Sequence, residues 1–176
     1  MPSQPAQPGQ GVIFWFRNDL RLHDQLALQQ AIALAQHLQT WLLPVYIHGS
    51  HLLTPTPWGF DRTSPQRRKW LNMALSDLSA QLEGLGSQLV QVEGTPSELL
   101  ATLSRRLGNA CIVCEEIAAP EEVLQISRLK QSGVSVQTVW QSTLMSPDTL
   151  PFAAESVPDQ FTTSRQALER ANVLPC

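Results

Sequence analysis

Five short, nearly continuous apolar runs separated by longer stretches of helical periodicity constrain this chain more than any other feature. Val12 to Phe16, Thr40 to His48, Gln88 to Val92, Ala110 to Cys114 and Val134 to Trp140 are the strand candidates. Apolar runs of this kind fit strands buried on both faces, the habit of a parallel sheet covered by helices. Asp24 is placed to cap a first helix through Leu26, Leu28 and Ile32. Ser64 and Pro65 supply a cap and a first-turn proline ahead of the stripe Leu71, Leu75, Leu78, Leu82 and Leu85, which ends at Gly84 or Gly86. Thr95, Pro96 and Glu98 read as a capping box before Leu99, Leu100 and Leu103. Pro120 opens a fourth helix with Val123, Ile126 and Leu129 facing inward and Gly133 closing it.

This βαβαβαβαβ order predicts an α/β fold: a five-stranded, doubly wound parallel sheet with helices on both faces, Rossmann-like, in a single domain. Residues 1–11, a Pro/Gln/Gly/Ser stretch, read as a flexible N-terminal tail, and 12–141 as the α/β domain. Residues 142–176 read as a C-terminal loop with a short helix near Thr162 to Ala171, the form of a linker toward something else.

Composition narrows the function classes. A chain of 176 residues buries roughly 70% of its unfolded surface, enough for a core without disulfide or metal staples. Hydrophobic residues make up 43% and charged residues 15%, which excludes a disordered body. The net charge of −3 gives no global field for nucleic acid, so any such role is local or belongs to another domain. No run of about 18 apolar residues predicts a membrane span. Three cysteines without an export signal point to the cytoplasm rather than to a disulfide framework.

In an open α/β sheet, ligands sit at the carboxyl ends of the strands near the topological switch point. The chain has neither G-x-G-x-x-G after its first strand nor a P-loop, which argues against a dehydrogenase or a P-loop enzyme. The first strand runs instead into the string FWFRNDLRLHD, whose Arg17, Asn18, Asp19, Arg21 and Asp24 read as an ion-paired turn that organises the loop. Cys111 and Cys114 spell C-x-x-C, but residues three apart on a strand point to opposite faces, so they read as buried small residues. Arg67, Arg68 and Lys69 stand in the first turns of the second helix, where cations oppose the dipole and invite an anion or a partner carboxylate. His23, His37, His48 and His51 have no metal-ligand spacing and no nucleophile partner. No catalytic or metal role is assigned to them.

The FWFRNDLRLHD string resembles the opening of the DNA photolyase/cryptochrome family, where W-F-R-x-D-L-R-x-x-D ends the first strand of an N-terminal α/β domain. The resemblance continues through SPQRRKWLNMALSDLSAQLEGLG, GTPSELL, WQSTLMSPDTLPF and QFTTSRQALE, and covers about residues 12 to 170. The last stretches are most similar to the DASH branch, although Ser164, Arg165 and Gln166 stand where that branch has F-R-K. The resemblance implies an antenna domain for light-dependent DNA repair or blue-light reception. Its cofactor would be a folate, methenyltetrahydrofolate, held partly by an acid after the fourth strand. Glu116 matches that acid, with Glu115 and Cys114 beside it where the family commonly shows Arg and His.

A carboxylate there would accept hydrogen bonds from the N–H edge of the pterin. With one wall of the cleft present, folate binding is expected to be weak. The FAD-binding helical domain that performs the family's flavin chemistry would follow Cys176, so neither FAD binding, catalysis nor direct DNA contact is expected of this chain. Of Trp15, Trp41, Trp58, Trp70 and Trp140, at least three sit in strand or helix runs and read as packing residues rather than an electron relay. Expected partners are a separate helical FAD domain or a second copy, drawn to the apolar residues of Ser142 to Phe161. The alternative is a stand-alone nucleotide-binding or protein-interaction module on the same scaffold.

Overall fold

The computed structural model describes residues 10–49, 55–153 and 156–173. Apart from Gln10 and Gly11, the expected N-terminal tail lies outside the described residues, as does His51. The element order is β1 (Val12–Phe16), α1 (Leu26–His37), β2 (Leu42–Gly49), α2 (Pro65–Gly84), β3 (Val90–Gly94), α3 (Pro96–Arg106), β4 (Cys111–Glu116), α4 (Pro120–Gln131), β5 (Val136–Trp140), a 3-10 turn (Pro147–Thr149) and α5 (Phe161–Arg170). The five strands form one parallel sheet in the order β3-β2-β1-β4-β5, with the registers Phe14↔Pro44, Trp15↔Cys114 and Ile47↔Val92 at its centre.

The strand alternation sends two different sets of side chains to the two faces. Val12, Phe14, Phe16, Tyr46 and Val113 pack against α1 and α2, while Ile13, Trp15, Val45, Ile47, Ile112 and Cys114 pack against α3 and α4. Phe14 and Phe16 meet edge-on at 4.7 Å, and the helix above them answers their bulk with small residues, since α1 buries Ala27, Leu28, Ala31 and Ala35. That complementarity explains a departure from expectation. Ile32 is 40% exposed, because the inward face of α1 is the alanine face and the aromatic strand residues fill the space.

Helix starts follow the expected chemistry at Ser64 and at Pro120, which opens α4; they depart from it at Asp24 and, in the side-chain bond alone, at Thr95, which does hold the cap position ahead of Pro96. The Ser64 hydroxyl accepts a hydrogen bond from the Arg67 backbone N–H at 3.2 Å. Asp24 is not the cap of α1: it adopts a left-handed conformation, φ 51°, which Asp tolerates better than most residues, and Gln25 takes the cap position. Nor does Thr95 form a side-chain capping box, because its backbone carbonyl meets the Glu98 N–H instead. On α4, Leu129 is buried, but Val123 is 47% exposed. Ile126 is half-buried against the same core as Leu129, and the first turns of the helix also meet the loop after β1, where Glu122 and Gln125 reach Arg17.

Contacts divide the chain into two compact units, Met1–Val139 and Trp140–Cys176. Within the second, Trp140 Nε1 donates to Thr143 Oγ1 at 2.6 Å, and Ser164 Oγ donates to the Pro158 carbonyl just before α5. Leu144, Val157 and Phe161 are exposed, and Met145, Leu150 and Phe152 are half-buried. Of the tryptophans, Trp15 is core and Trp140 half-buried, Trp41 is 43% exposed, and Trp58 and Trp70 lie on the surface at 78% and 72% exposed. Trp58 stacks on Phe60 in a tight turn outside the sheet, and Trp70 sits on the solvent face of α2.

Candidate functional site

The switch point falls between β1 and β4, the adjacent strands whose following helices cover opposite faces of the sheet. Arg17, the first residue past β1, occupies it. Its side chain is buried, with its guanidinium over the Trp15 ring at 4.6 Å from the centroid. One terminal nitrogen donates to the Glu115 carbonyl at 3.1 Å, and the other lies 3.4 Å from both the Glu122 carbonyl and Gln125 Oε1. Burial lowers the Arg17 pKa, opposed by the nearby Cys114, Glu122 and Glu115. The group stays charged, because an arginine starts far above neutrality.

The rest of the loop is held locally. Asp19 binds Arg21 in a bidentate pair, with Oδ1 accepting from Nε at 2.9 Å and Oδ2 from a terminal nitrogen at 2.9 Å. The Arg21 backbone N–H also donates to Oδ1. These hydrogen bonds hold the Asp19 carboxyl below its usual range. Gln25 is buried and donates through Nε2 to the Asp19 carbonyl at 2.9 Å, tying the loop to the start of α1. Asn18 is exposed at the rim of a cavity, and Asp24 is exposed at its left-handed turn.

The three residues expected to meet a cofactor fall in three different surroundings. Cys114 lies in the core on the α3/α4 side, and burial pushes its thiol up to about 12. Glu115 is buried at the end of β4, with its carbonyl on Arg17. Glu116 is exposed and accepts a hydrogen bond at 3.0 Å from Thr138 Oγ1 on β5. The two glutamates are the last residues of β4, and strand alternation gives them opposite fates. Cys111 is buried too, beside Ser135 Oγ, and both described cysteines are free.

A cavity of about 540 Å³ opens at the carboxyl ends of β1 and β2. Phe16, Tyr46 and Leu71 line it apolarly, and Arg17, Arg62 and Arg67 bring positive charge. The starts of α2, α3 and α4 also reach it, through Thr63, Pro96 and Glu122. Helix N-termini and arginines favour an anion, while the aromatic lining favours a planar group. Arg62 is paired with Glu121 at 2.8 Å, and Arg68, whose placement had invited a carboxylate, pairs with Asp61 at 3.3 Å. Sequence reasoning missed Arg62, Gln125 and Thr138, which carry no motif of their own. Among the described residues, no three His, Cys, Asp or Glu side chains converge as metal ligands would.

Comparison with known proteins gives this geometry a family. The cryptochrome DASH of Gloeobacter violaceus is 34% identical over 165 residues, 91% of this chain and 32% of the relative. That of Danio rerio is 36% identical over 166 residues, 90% of this chain and 31% of the relative. A solved cryptochrome of Synechocystis sp. superposes with a TM-score of 0.84 at 28% identity, covering 98% of this chain and 36% of that one. The chain spans about a third of the length of the curated relatives it matches. The family model for DNA photolyase matches residues 12–175, nearly the whole sequence. On that match this chain belongs to the DNA photolyase family.

Proposed function

We propose that this chain acts as the antenna domain of a DASH-like photolyase or cryptochrome and binds a reduced folate, methenyltetrahydrofolate, at the carboxyl edge of β4. The observation that supports this most directly is the placement of Glu116. It is an exposed carboxylate at the end of β4, next to the switch point, steadied by the Thr138 hydroxyl at 3.0 Å. A carboxylate there suits the adjacent N–H donors of a pterin edge, since charge-assisted hydrogen bonds are the stronger kind. Of Cys114, Glu115 and Glu116, the last would make that contact. Glu115 would contribute through the position of its backbone, and Cys114, enclosed in the core, would have no direct contact.

Flavin chemistry, DNA repair or light signalling would belong to a helical FAD-binding domain acting with this chain, in a reducing cytoplasm where the two buried cysteines remain thiols. Among the described residues, no helix is long and apolar enough to cross a membrane. Titration of the purified protein with methenyltetrahydrofolate, followed by its near-ultraviolet absorption, tests the reading. Wild type should bind and shift the band, and Glu116→Gln should bind about tenfold more weakly, the scale of one hydrogen bond to a charged group. Equal affinity for both removes Glu116 from the site.

The cavity supports a second reading, a site for an anionic planar ligand such as a nucleotide. Arg67 and the starts of three helices would face its phosphate, and Phe16 and Tyr46 its ring. Stabilisation of the protein by a nucleotide but not by folate, abolished in Arg67→Ala, would favour this reading over the first.

A further inference from the structure

The registered ladder between β1 and β4 ends at Trp15↔Cys114, yet β4 continues for two more residues, Glu115 and Glu116. At that point the Arg17 side chain takes over from the strand. Its guanidinium donates to the Glu115 carbonyl at 3.1 Å, and its other terminal nitrogen reaches the Glu122 carbonyl and Gln125 Oε1 on α4, each at 3.4 Å. The flat cation rests on Trp15, so one planar fork is clamped between β1, the end of β4 and the first turns of α4. From the other side, Thr138 on β5 donates to Glu116 Oε2 at 3.0 Å.

We propose that Arg17 is a positioning residue for Glu116: it completes the backbone of β4 where the ladder stops, and so sets the direction in which the Glu116 carboxylate leaves the sheet. The inference rests on the reading of Glu116 as the acceptor for a reduced folate. Arginine suits the task because its donors are fixed in one plane and can serve a strand carbonyl and a helix at once. The compact ammonium of a lysine cannot span both. The guanidinium directs these hydrogen bonds to carbonyl and amide oxygens and rests on the Trp15 face, so it acts on Glu116 through the β4 backbone.

Two readouts separate this inference from the folate reading. In the ligand-free protein, the side-chain carboxyl carbon resonance of Glu116 should move in Arg17→Lys and stay in place in Met73→Ala, a change on the solvent face of α2. An unmoved resonance in Arg17→Lys overturns the proposal. In titrations with methenyltetrahydrofolate, Arg17→Lys should weaken binding about tenfold and return the absorption band toward that of free folate. The same substitution should have no further effect in a Glu116→Gln background. Equal losses in both backgrounds mean that Arg17 acts on the fold at large, and the proposal falls. If wild type does not bind folate but the resonance moves, the folate reading fails and the positioning role stands. Should Arg17→Lys not fold, Arg17→Gln, which keeps an amide donor for the Glu115 carbonyl, serves in its place for both measurements.

Discussion

Alkaline pH should loosen this fold through buried acids, and Cys114 makes the effect measurable. Its thiol lies in the core against α3 and α4, where burial raises its pKa from an ordinary 9.0 to about 12, although Arg17 pulls the other way. Burial also raises the Cys111 thiol and the Tyr46 phenol. Each group ionises at lower pH in the unfolded chain than in the folded one. Above the unfolded value the unfolded state therefore binds fewer protons, and stability falls as pH rises toward the folded value.

For Cys114 the window runs from about pH 9 to about pH 12. Below it the protonated thiol contributes no pH dependence. At about pH 11 the two units already crossed correspond to about 3 kcal/mol, taking 1.36 kcal/mol per unit. Urea unfolding of wild type and Cys114→Ala at about pH 8 and about pH 11 isolates this contribution. Cys114→Ala should be somewhat less stable at the lower pH, because it leaves a small void. Wild type should then lose about 1.5 M more of its urea midpoint than the variant between the two pH values, for a slope near 2 kcal/mol per M. Parallel losses in the two proteins would refute the argument, since they would mean that the Cys114 proton is indifferent to folding.

The two faces of α2 should respond very differently to truncation. Leu78→Ala, at a fully buried position, should cost about 3 kcal/mol, and Met73→Ala, on the exposed face, under about 0.5 kcal/mol, both measurable as shifts in thermal midpoint. Gly11 precedes β1, and a Cβ placed there would lie inside the Trp41 indole. Gly11→Ala should therefore destabilise by about 1–3 kcal/mol. The double variant Gly11→Ala/Trp41→Ala should be more stable than the sum of the single changes implies, and strict additivity in urea unfolding would count against the contact.

The strands were legible because parallel strands covered on both faces must be apolar along their whole length, and VIFWF and CIVC have no alternative use in a chain of this size. The end of β4 was not legible. Two consecutive glutamates signal solvent, and nothing local says that a cation from residue 17 will back the first of them. Spacing rules also overcounted the inward faces of the helices. Ile32 and Val123 fit a helical stripe, but how much of each stripe the sheet covers depends on the bulk of Phe14 and Phe16 and on where α4 begins relative to the sheet. Two side-chain caps are missing for a related reason. Asp24 and Thr95 have the right chemistry, but the loops they close place other atoms at the helix starts. The loop string FWFRNDLRLHD announced a family, whereas the contacts of its first arginine emerged only when β1, β4 and α4 were brought together.

The sheet has two outer margins, at β3 and at β5. At β3 the alternation leaves Gln91 and Glu93 exposed on a strand only five residues long, followed at once by Pro96 at the start of α3. A second copy adding there in parallel and in register would set Glu93 against Glu93, and like charges directly opposed disfavour pairing. Short length and a carboxylate at the margin are the means by which native sheets resist becoming templates. Destabilising this chain should therefore yield amorphous association through its apolar side chains before it yields fibrils that extend the sheet from β3.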